Sequence, residues 1–319
     1  MPSTMEQRRL GLKKEAVRGT AETTPDKFRA VSADTELAYS LALIDDETKR
    51  GINAKFPAAP GVKDGEGTIK FPVRPSEMGE FLQMALGDPV TSNPGTLAFL
   101  HTFDAPLAAS LNQRPAYTLF LDRGLNIKKY NLGSVDVLAI NQDPDGLMQM
   151  EASMMFKSEV AGAIGSPDYS GESQEGEPDQ ITHKIDTVLQ TEIRQFSYEI
   201  NQQLFKKRTQ AQSKDIADII TVGPLMLTGS FEIFFEDEAE RVKFLAGTQF
   251  ELDHDLTGEL IEAGQNYEMK LNVPTAKYRA LPIGDLDGIL GATAEWEAEF
   301  DTVTSKLFSI ALKNKTVSY

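Results

Sequence analysis

The 319-residue chain carries a net charge of −16 and no cysteine, which excludes disulfide staples, thiolate metal sites and cysteine nucleophiles and leaves the redox compartment open. Its 40% apolar content supports one large core or two small ones, and no apolar run approaches the ~18 residues a membrane helix needs. Residues 1–160 hold 18 Lys and Arg against 21 Asp and Glu, whereas residues 161–319 hold 14 against 27, a balance that opposes capture of nucleic-acid phosphates. Met1 to Leu12 lacks a signal-peptide core, so the expectation is synthesis in the cytosol.

Residues 1–30 carry Arg8, Arg9, Lys13, Lys14, Arg18, Lys27 and Arg29 with Gly19-Thr20 and Thr23-Thr24-Pro25 punctuation. They read as an extended basic arm with little core of its own. Residues 31–319 read as a single β domain. Leu37 to Ile44 is moderately apolar, and residues 45–68 are dense in Pro57, Pro60, Gly61, Gly65 and Gly67. That composition predicts a long hairpin or loop projecting from the body. One helix is expected next. Ser76 is its N-cap, Met78, Phe81, Leu82 and Ala85 or Leu86 recur at helical spacing, and Gly87 stops it.

Strand alternation dominates the rest. Tyr117, Leu119 and Leu121 form one set, and Met148, Met150, Ala152, Met154 and Phe156 another. Residues 161–180, rich in Gly, Ser, Pro and acid, read as a flexible loop or the one possible domain boundary, the loop within one domain being favoured. Beyond them come Phe196/Tyr198/Ile200, then Phe231/Ile233/Phe235 opposed by Glu232 and Glu236, then Tyr267/Met269/Leu271/Val273, and a last strand near Leu307 to Leu312. Many strands with one clear helix predict a mainly β fold, a sandwich or open barrel with a flanking helix.

Ala294 to Phe300 is the most one-sided of these strands. A period of two puts Ala294, Trp296, Ala298 and Phe300 on one face and Glu295, Glu297 and Glu299, unmixed with any base, on the other. Such a face must look into water. A catalytic carboxylate pair there would lack the burial that raises one pKa. Asn141 to Gly146 and Asp285 to Gly288 resemble starts of calcium loops but lack an acid at the twelfth position, so both read as turns. Asp253-His254-Asp255 with Glu259 could ligate a metal, although a solvated strand end is the plainer reading. Lys206-Lys207-Arg208 reads as a solvated hairpin tip. Walker A, GxGxxG and GxSxG signatures are absent from the sequence.

Five stretches together carry a resemblance. They are Leu10-Gly-Leu-Lys-Lys-Glu, a Gly-Thr near residue 20, the helix block from Phe71-Pro-Val-Arg-Pro-Ser to Gly87, Leu227-Thr-Gly-Ser-Phe-Glu-Ile-Phe-Phe-Glu-Asp237, and Gly288-Ile-Leu-Gly-Ala-Thr-Ala-Glu-Trp-Glu-Ala. In this order they resemble tail tube proteins of long-tailed bacteriophages, over about residues 8–315; the stretch 161–180 looks like extra length. The resemblance implies a β-sandwich or barrel, hexameric rings stacking into a hollow tube, and viral DNA passing through the lumen. It also implies no enzyme activity and no cofactor, a place in the virion tail after synthesis in the host cytoplasm, and partners such as the tape-measure protein, the tail terminator and baseplate proteins. Glu232, Glu236, Glu295, Glu297 and Glu299 are then candidate lumen acids, since carboxylates repel a duplex carrying one charge per ~1.7 Å. Arg8, Arg9, Lys13, Lys14, Arg18, Lys49, Arg50, Lys55 and Lys63 are candidate contacts to a neighbouring ring. Alternatives are a related ring component, such as a distal-tail or terminator protein, or a β-sandwich glycan-binding or hydrolytic module.

Overall fold

A computed structural model describes residues 8–48, 50–51, 54–105, 114–124, 126–210, 213–236 and 238–319. The first half supplies β1 (Arg9–Lys14), β2 (Lys27–Arg29), β3 (Glu36–Ile44), β4 (Ala59–Pro72), β5 (Val90–Ser92), β6 (Phe99–Asp104), β7 (Tyr117–Asp122), β8 (Ile127–Gln142), β9 (Gln149–Met155) and β10 (Ser158–Ala161). Helix α1 (Gly79–Leu86) lies between β4 and β5. The second half supplies β11 (Ile181–Ile185), β12 (Val188–Gln190), β13 (Ile193–Asn201), β14 (Leu204–Lys207), β15 (Asp218–Thr221) and β16 (Met226–Phe234). After helix α2 (Ala239–Ala246) come β17 (Phe250–Glu262), β18 (Gln265–Ala280), β19 (Ile283–Leu286), β20 (Ile289–Ala298) and β21 (Ser309–Asn314).

The fold is mainly β and its pairings are antiparallel. One spine runs β3–β4–β9–β8–β13–β16–β20–β18–β17–β11–β12. Strands β21, β6 and β5 continue from the early part of β18. A second layer, β2–β1–β7–β8–β10, shares β8 with the spine. The shared strand breaks direction at Leu132, whose φ of 57° is left-handed and unfavourable for a branched side chain. The buried Glu15 carboxylate holds that corner, accepting hydrogen bonds from the amides of Leu132 (2.7 Å) and Gly19 (2.5 Å) and the hydroxyl of Thr118 (3.1 Å).

One hydrophobic cluster runs from Leu10 to Leu312 and draws on both halves of the sequence. The β8–β13 pairing, from Gln142↔Phe196 to Val137↔Asn201, likewise joins the halves in one sheet. The expected basic arm is corrected here. Leu10 and Leu12 are fully buried and β1 pairs along its whole length with β7, so the segment is integral to a layer. Its charges disguised a short alternating strand.

The helix also differs from expectation. It begins at Gly79 with Met78 in the N-cap position, because residues 75–77 form a turn instead. The Ser76 hydroxyl is spent elsewhere, accepting the Ser173 amide at 2.8 Å. Gly87, at φ 99°, ends the helix. All eight helical residues are buried, so α1 flanks the sheet under cover and presents no surface face. Helix α2 is an addition to the single expected helix; Gly247, in the left-handed region, caps its C-terminus.

Residues 162–180 form a loop, ending in one 3-10 turn at Pro178–Gln180, that is tied to the body. Gly176 bridges Val73 and Met148 through backbone hydrogen bonds of 2.8 and 2.9 Å, and Arg74 reaches both Glu172 and Glu175. Composition registers the shortage of apolar residues there and cannot register these polar anchors.

Candidate functional site

Strand β20 buries Ala294, Trp296 and Ala298 as the alternation requires. Gly229, directly opposite Trp296 on β16, makes room for the indole: a Cβ there would lie 2.4 Å from the ring and 2.5 Å from the Ser197 carbonyl oxygen. The strand ends at Ala298, however, and Phe300 is exposed, so the expected apolar face is one residue pair shorter.

The acid face is not free of bases. A register shift between Tyr278 and Ala280 of β18 brings Arg279 alongside. Its guanidinium meets Glu297 at 2.7 Å and Glu299 at 3.4 Å. Glu295 alone of the three is exposed; Glu297 and Glu299 are half-buried. On the neighbouring strand Glu232 shares this wet face but lies 3.8 Å from Arg194, which pairs more closely with Asp287 at 2.6 Å. Glu236 falls past the end of β16, exposed in the turn to α2. The alternation of one strand says nothing of cross-strand partners. What remains is a polar, acid-rich sheet face with two arginines set into it.

The candidate contact bases divide into two groups. Those before residue 20 are engaged within their own subunit. Arg8 bonds the Ala33 and Thr35 carbonyls and Glu36, and Arg9 pairs with the buried Asp122. Lys13 meets Glu22 at 3.3 Å and Lys14 meets Asp88 at 2.9 Å. Arg18 donates to the carbonyls of Arg114 and Ile219 at 2.7 and 2.6 Å. The later group sits on the β3–β4 hairpin. Arg50 pairs with Asp46 at 2.6 Å and covers the Phe56 ring, and Lys55 pairs with Asp45 at 2.8 Å. Lys49 lies outside the described residues.

The hairpin is longer and more regular than its turn-forming residues suggest. Strand β4 pairs with β9 only from Glu66 to Pro72, and residues 59–65 pair with β3 beyond the last β9 residue. Gly65 and Gly67 serve close approach and not turning: a Cβ on Gly67 would lie 2.2 Å from the Glu36 carbonyl oxygen. Leu41, Leu43 and Ile44 are exposed on the projecting part. The Lys206-Lys207-Arg208 run, read as a solvated tip, braces its base. Lys206 pairs with Asp64 and Glu66, Arg208 donates to the Lys63 carbonyl at 2.6 Å, and Asp215 binds both Lys63 (3.3 Å) and the Tyr39 hydroxyl (2.7 Å).

The remaining chemical candidates resolve into structure. Gln142 donates to the carbonyls of Asp143 and Gly146, closing the 143–146 turn, and Asp285 accepts the Gly288 amide at 2.9 Å. His254 faces the core, opposite Asp253 and Asp255, and meets His183 Nδ1 to Nδ1 at 3.1 Å. Burial pushes the His183 imidazole down to about 4, and burial with the adjacent His183 drives His254 well below its usual range. Among the described residues no cluster of three His, Cys, Asp or Glu could hold a metal. Buried carboxylates do exist, off the strand faces. Burial pushes Glu77 up to about 7 against the opposing pull of Arg74, while Glu80 pairs with Arg29 at 2.5 Å. Both are consumed by arginines around α1.

The assembled surfaces are thus a projecting braced hairpin and a broad polar sheet face. Comparison with curated proteins finds no match. The profile of the family described as phage tail tube protein matches residues 6–298, most of the chain. The chain therefore belongs to the phage tail tube protein family.

Proposed function

We propose that this protein is a non-enzymatic structural subunit of a phage tail, assembling with copies of itself into rings that stack as a hollow tube for DNA. The observation that carries this reading is the β3–β4 hairpin. It leaves the sheet with Leu41, Leu43 and Ile44 in water, an arrangement that favours association. Salt bridges from Lys206, Arg208 and Asp215 hold its base in one direction, so less ordering entropy is lost on docking.

Sixfold rings, a lumen lined by the face bearing Glu232, Glu295, Glu297 and Glu299, and contacts to tape-measure, terminator and baseplate proteins belong to the same proposal. Arg194 and Arg279 temper that face without reversing its sign. Contacts to the neighbouring ring are assigned to the hairpin that carries Arg50, Lys55 and Lys63, because it projects with Leu41, Leu43 and Ile44 in water, whereas Arg8 to Arg18 are tied into the body of the subunit. Electron microscopy of the concentrated protein is the test. Tubes of uniform diameter are expected; a protein that stays monomeric at every concentration and salt would contradict the reading. Lysine at positions 295, 297 and 299 should leave folding intact and impair DNA delivery. Unchanged infectivity would place that face on the outer wall.

A further inference from the structure

Strands β11 and β12 form a hairpin at the end of the spine. Among the described residues β12 pairs only with β11, and β11 reaches the body of the sheet only through β17. Of residues 181–190 only His183 and Ile185 are buried. The turn between the two strands is strained. Ile185 opposes Val188, so two residues make the whole loop, and both have left-handed backbones, Asp186 at φ 52° and Thr187 at φ 67°. A two-residue turn of this hand favours Asn-Gly, and a β-branched threonine is an outlier there. The ion pairs Lys184–Asp255 (3.5 Å) and Asp186–Lys243 (2.8 Å) are partly exposed and add little hold. The hairpin thus depends on two buried side chains, and one of them is a histidine.

That histidine meets another. His183 Nδ1 lies 3.1 Å from Nδ1 of His254, its cross-strand neighbour on β17, so one ring donates and the other accepts. Both rings pack on Phe196 of β13, with centroids 4.8 and 4.4 Å away, and His254 is parallel to it within 6°. The Nε2 of His254 is buried and has no hydrogen-bond partner among the described residues. Neither imidazole has a carboxylate partner among them. Tyr198 of β13 packs beside the pair, its ring 5.9 Å from His254 and its hydroxyl turned to Met269 Sδ of β18 at 3.8 Å. Gln190, opposite His183 on β12, is uncharged. Lys184 of β11, Asp253 and Asp255 of β17 and Lys270 of β18 alternate to the opposite, wet face. A first proton therefore puts an uncompensated charge in a dry site. A second makes the accepting Nδ1 a donor and sets two N–H groups face to face.

We infer that the β11–β12 hairpin is an acid-released flap: protonation of the His183–His254 pair detaches it from β17 while the rest of the sheet stays closed. His254 is held between β11 and β18, whereas His183 sits on the outer strand and is the ring that leaves. Water then solvates both charges, and the turn at Asp186-Thr187 relaxes. Release uncovers the outer edge of β17, a row of backbone groups without partners. The sense is fixed by burial, which holds folded His183 down to about 4 while the released ring takes its proton near 6.5; opening is favoured as pH falls through that window.

Hydrogen exchange read by mass spectrometry at neutral pH and at about pH 4.5, corrected for intrinsic rates, tests the flap. Protection of residues 181–190 should fall roughly 50–100-fold, with little change in β8, β9 and β20. Emission from Trp296, the one tryptophan and a buried one, should keep its wavelength. The drop should vanish in a His183→Phe, His254→Leu variant. His183→Asn keeps a hydrogen-bonding group near the place of Nδ1, should diminish the drop, and serves where the double variant does not fold. Equal loss of protection in every strand, with Trp296 emission moving to the red, would mean that acid unfolds the whole domain and would overturn the flap. Unchanged protection at residues 181–190, or an undiminished drop in either folded variant, would overturn it as well.

Discussion

The N-terminal segment and the β3–β4 hairpin are close in sequence and similar in composition, and they have opposite fates. Both mix lysine and arginine with turn-forming residues and short apolar runs. In β1 the leucines at 10 and 12 are fully buried and the surrounding bases are tied to carboxylates and carbonyls of the same subunit. In the hairpin the leucines at 41 and 43 stand in water and the bases at 50 and 55 pair only within the tip. Neighbouring strands make the difference. Strand β1 lies between β2 and β7, whereas the far part of β3 has only β4. Charge content marks neither an arm nor an interface; what matters is whether a second strand and a layer close over the apolar side.

Replacement of Leu12 by Asp strikes this contrast hardest. It buries an unpaired carboxylate and deletes core volume, and should cost more than ~4 kcal/mol, enough to unfold a marginal domain. Leu43→Asp should leave the denaturation midpoint within the ~0.5 kcal/mol usual for surface sites and abolish polymers. Equal destabilisation by the two, measured by urea unfolding, would erase the distinction drawn here.

Acid should act on the body and spare the hairpin. The unfolded state takes protons at histidine near pH 6.5, while folded His183 resists until about pH 4. Stability from this residue is thus complete above pH 6.5 and declines as pH falls toward 4, by about 3 kcal/mol for His183 alone. Glu77, raised to about 7, acts with the opposite sign over the same window, so the readout is a difference: the melting temperature of the wild type minus that of a His183→Phe, His254→Leu variant should shrink as pH falls from 6.5 toward 4. The Leu43→Asp change should leave the slope unaltered.

Smaller effects grade the two sets of bases. Arg18→Ala removes two charge-assisted bonds to backbone carbonyls and should cost about 1–3 kcal/mol. Lys55→Ala loses one exposed pair and should shift thermal unfolding by less than ~0.5 kcal/mol. A reversed order would mean that the N-terminal bases are not structural.

The mainly β class was legible because alternation survives in single strands such as β9, β13 and β18. Helix α1 was legible from its spacing and Gly87, but its N-terminus was not, since Ser76 is claimed by Ser173 across the loop. Long-range partners explain most of the rest. Arg279 reaches the glutamates of β20 through a register shift, and Arg74 ties down the 162–180 loop; neither leaves a mark in local pattern. The exposed apolar residues around α2 were missed for a different reason. They come from β12 (Leu189), α2 (Val242, Leu245) and the start of β20 (Leu290), and each segment contributes too few to register in any window of sequence.

Electron microscopy of wild-type and Leu43→Asp protein at matched high concentration tests most directly that the hairpin joins copies end to end. Uniform tubes from the wild type, and folded but unpolymerised Leu43→Asp protein, are the expected pair of images. Indistinguishable tubes from both proteins would contradict a joining role for the hairpin, and a wild type that forms no polymer would contradict self-assembly itself.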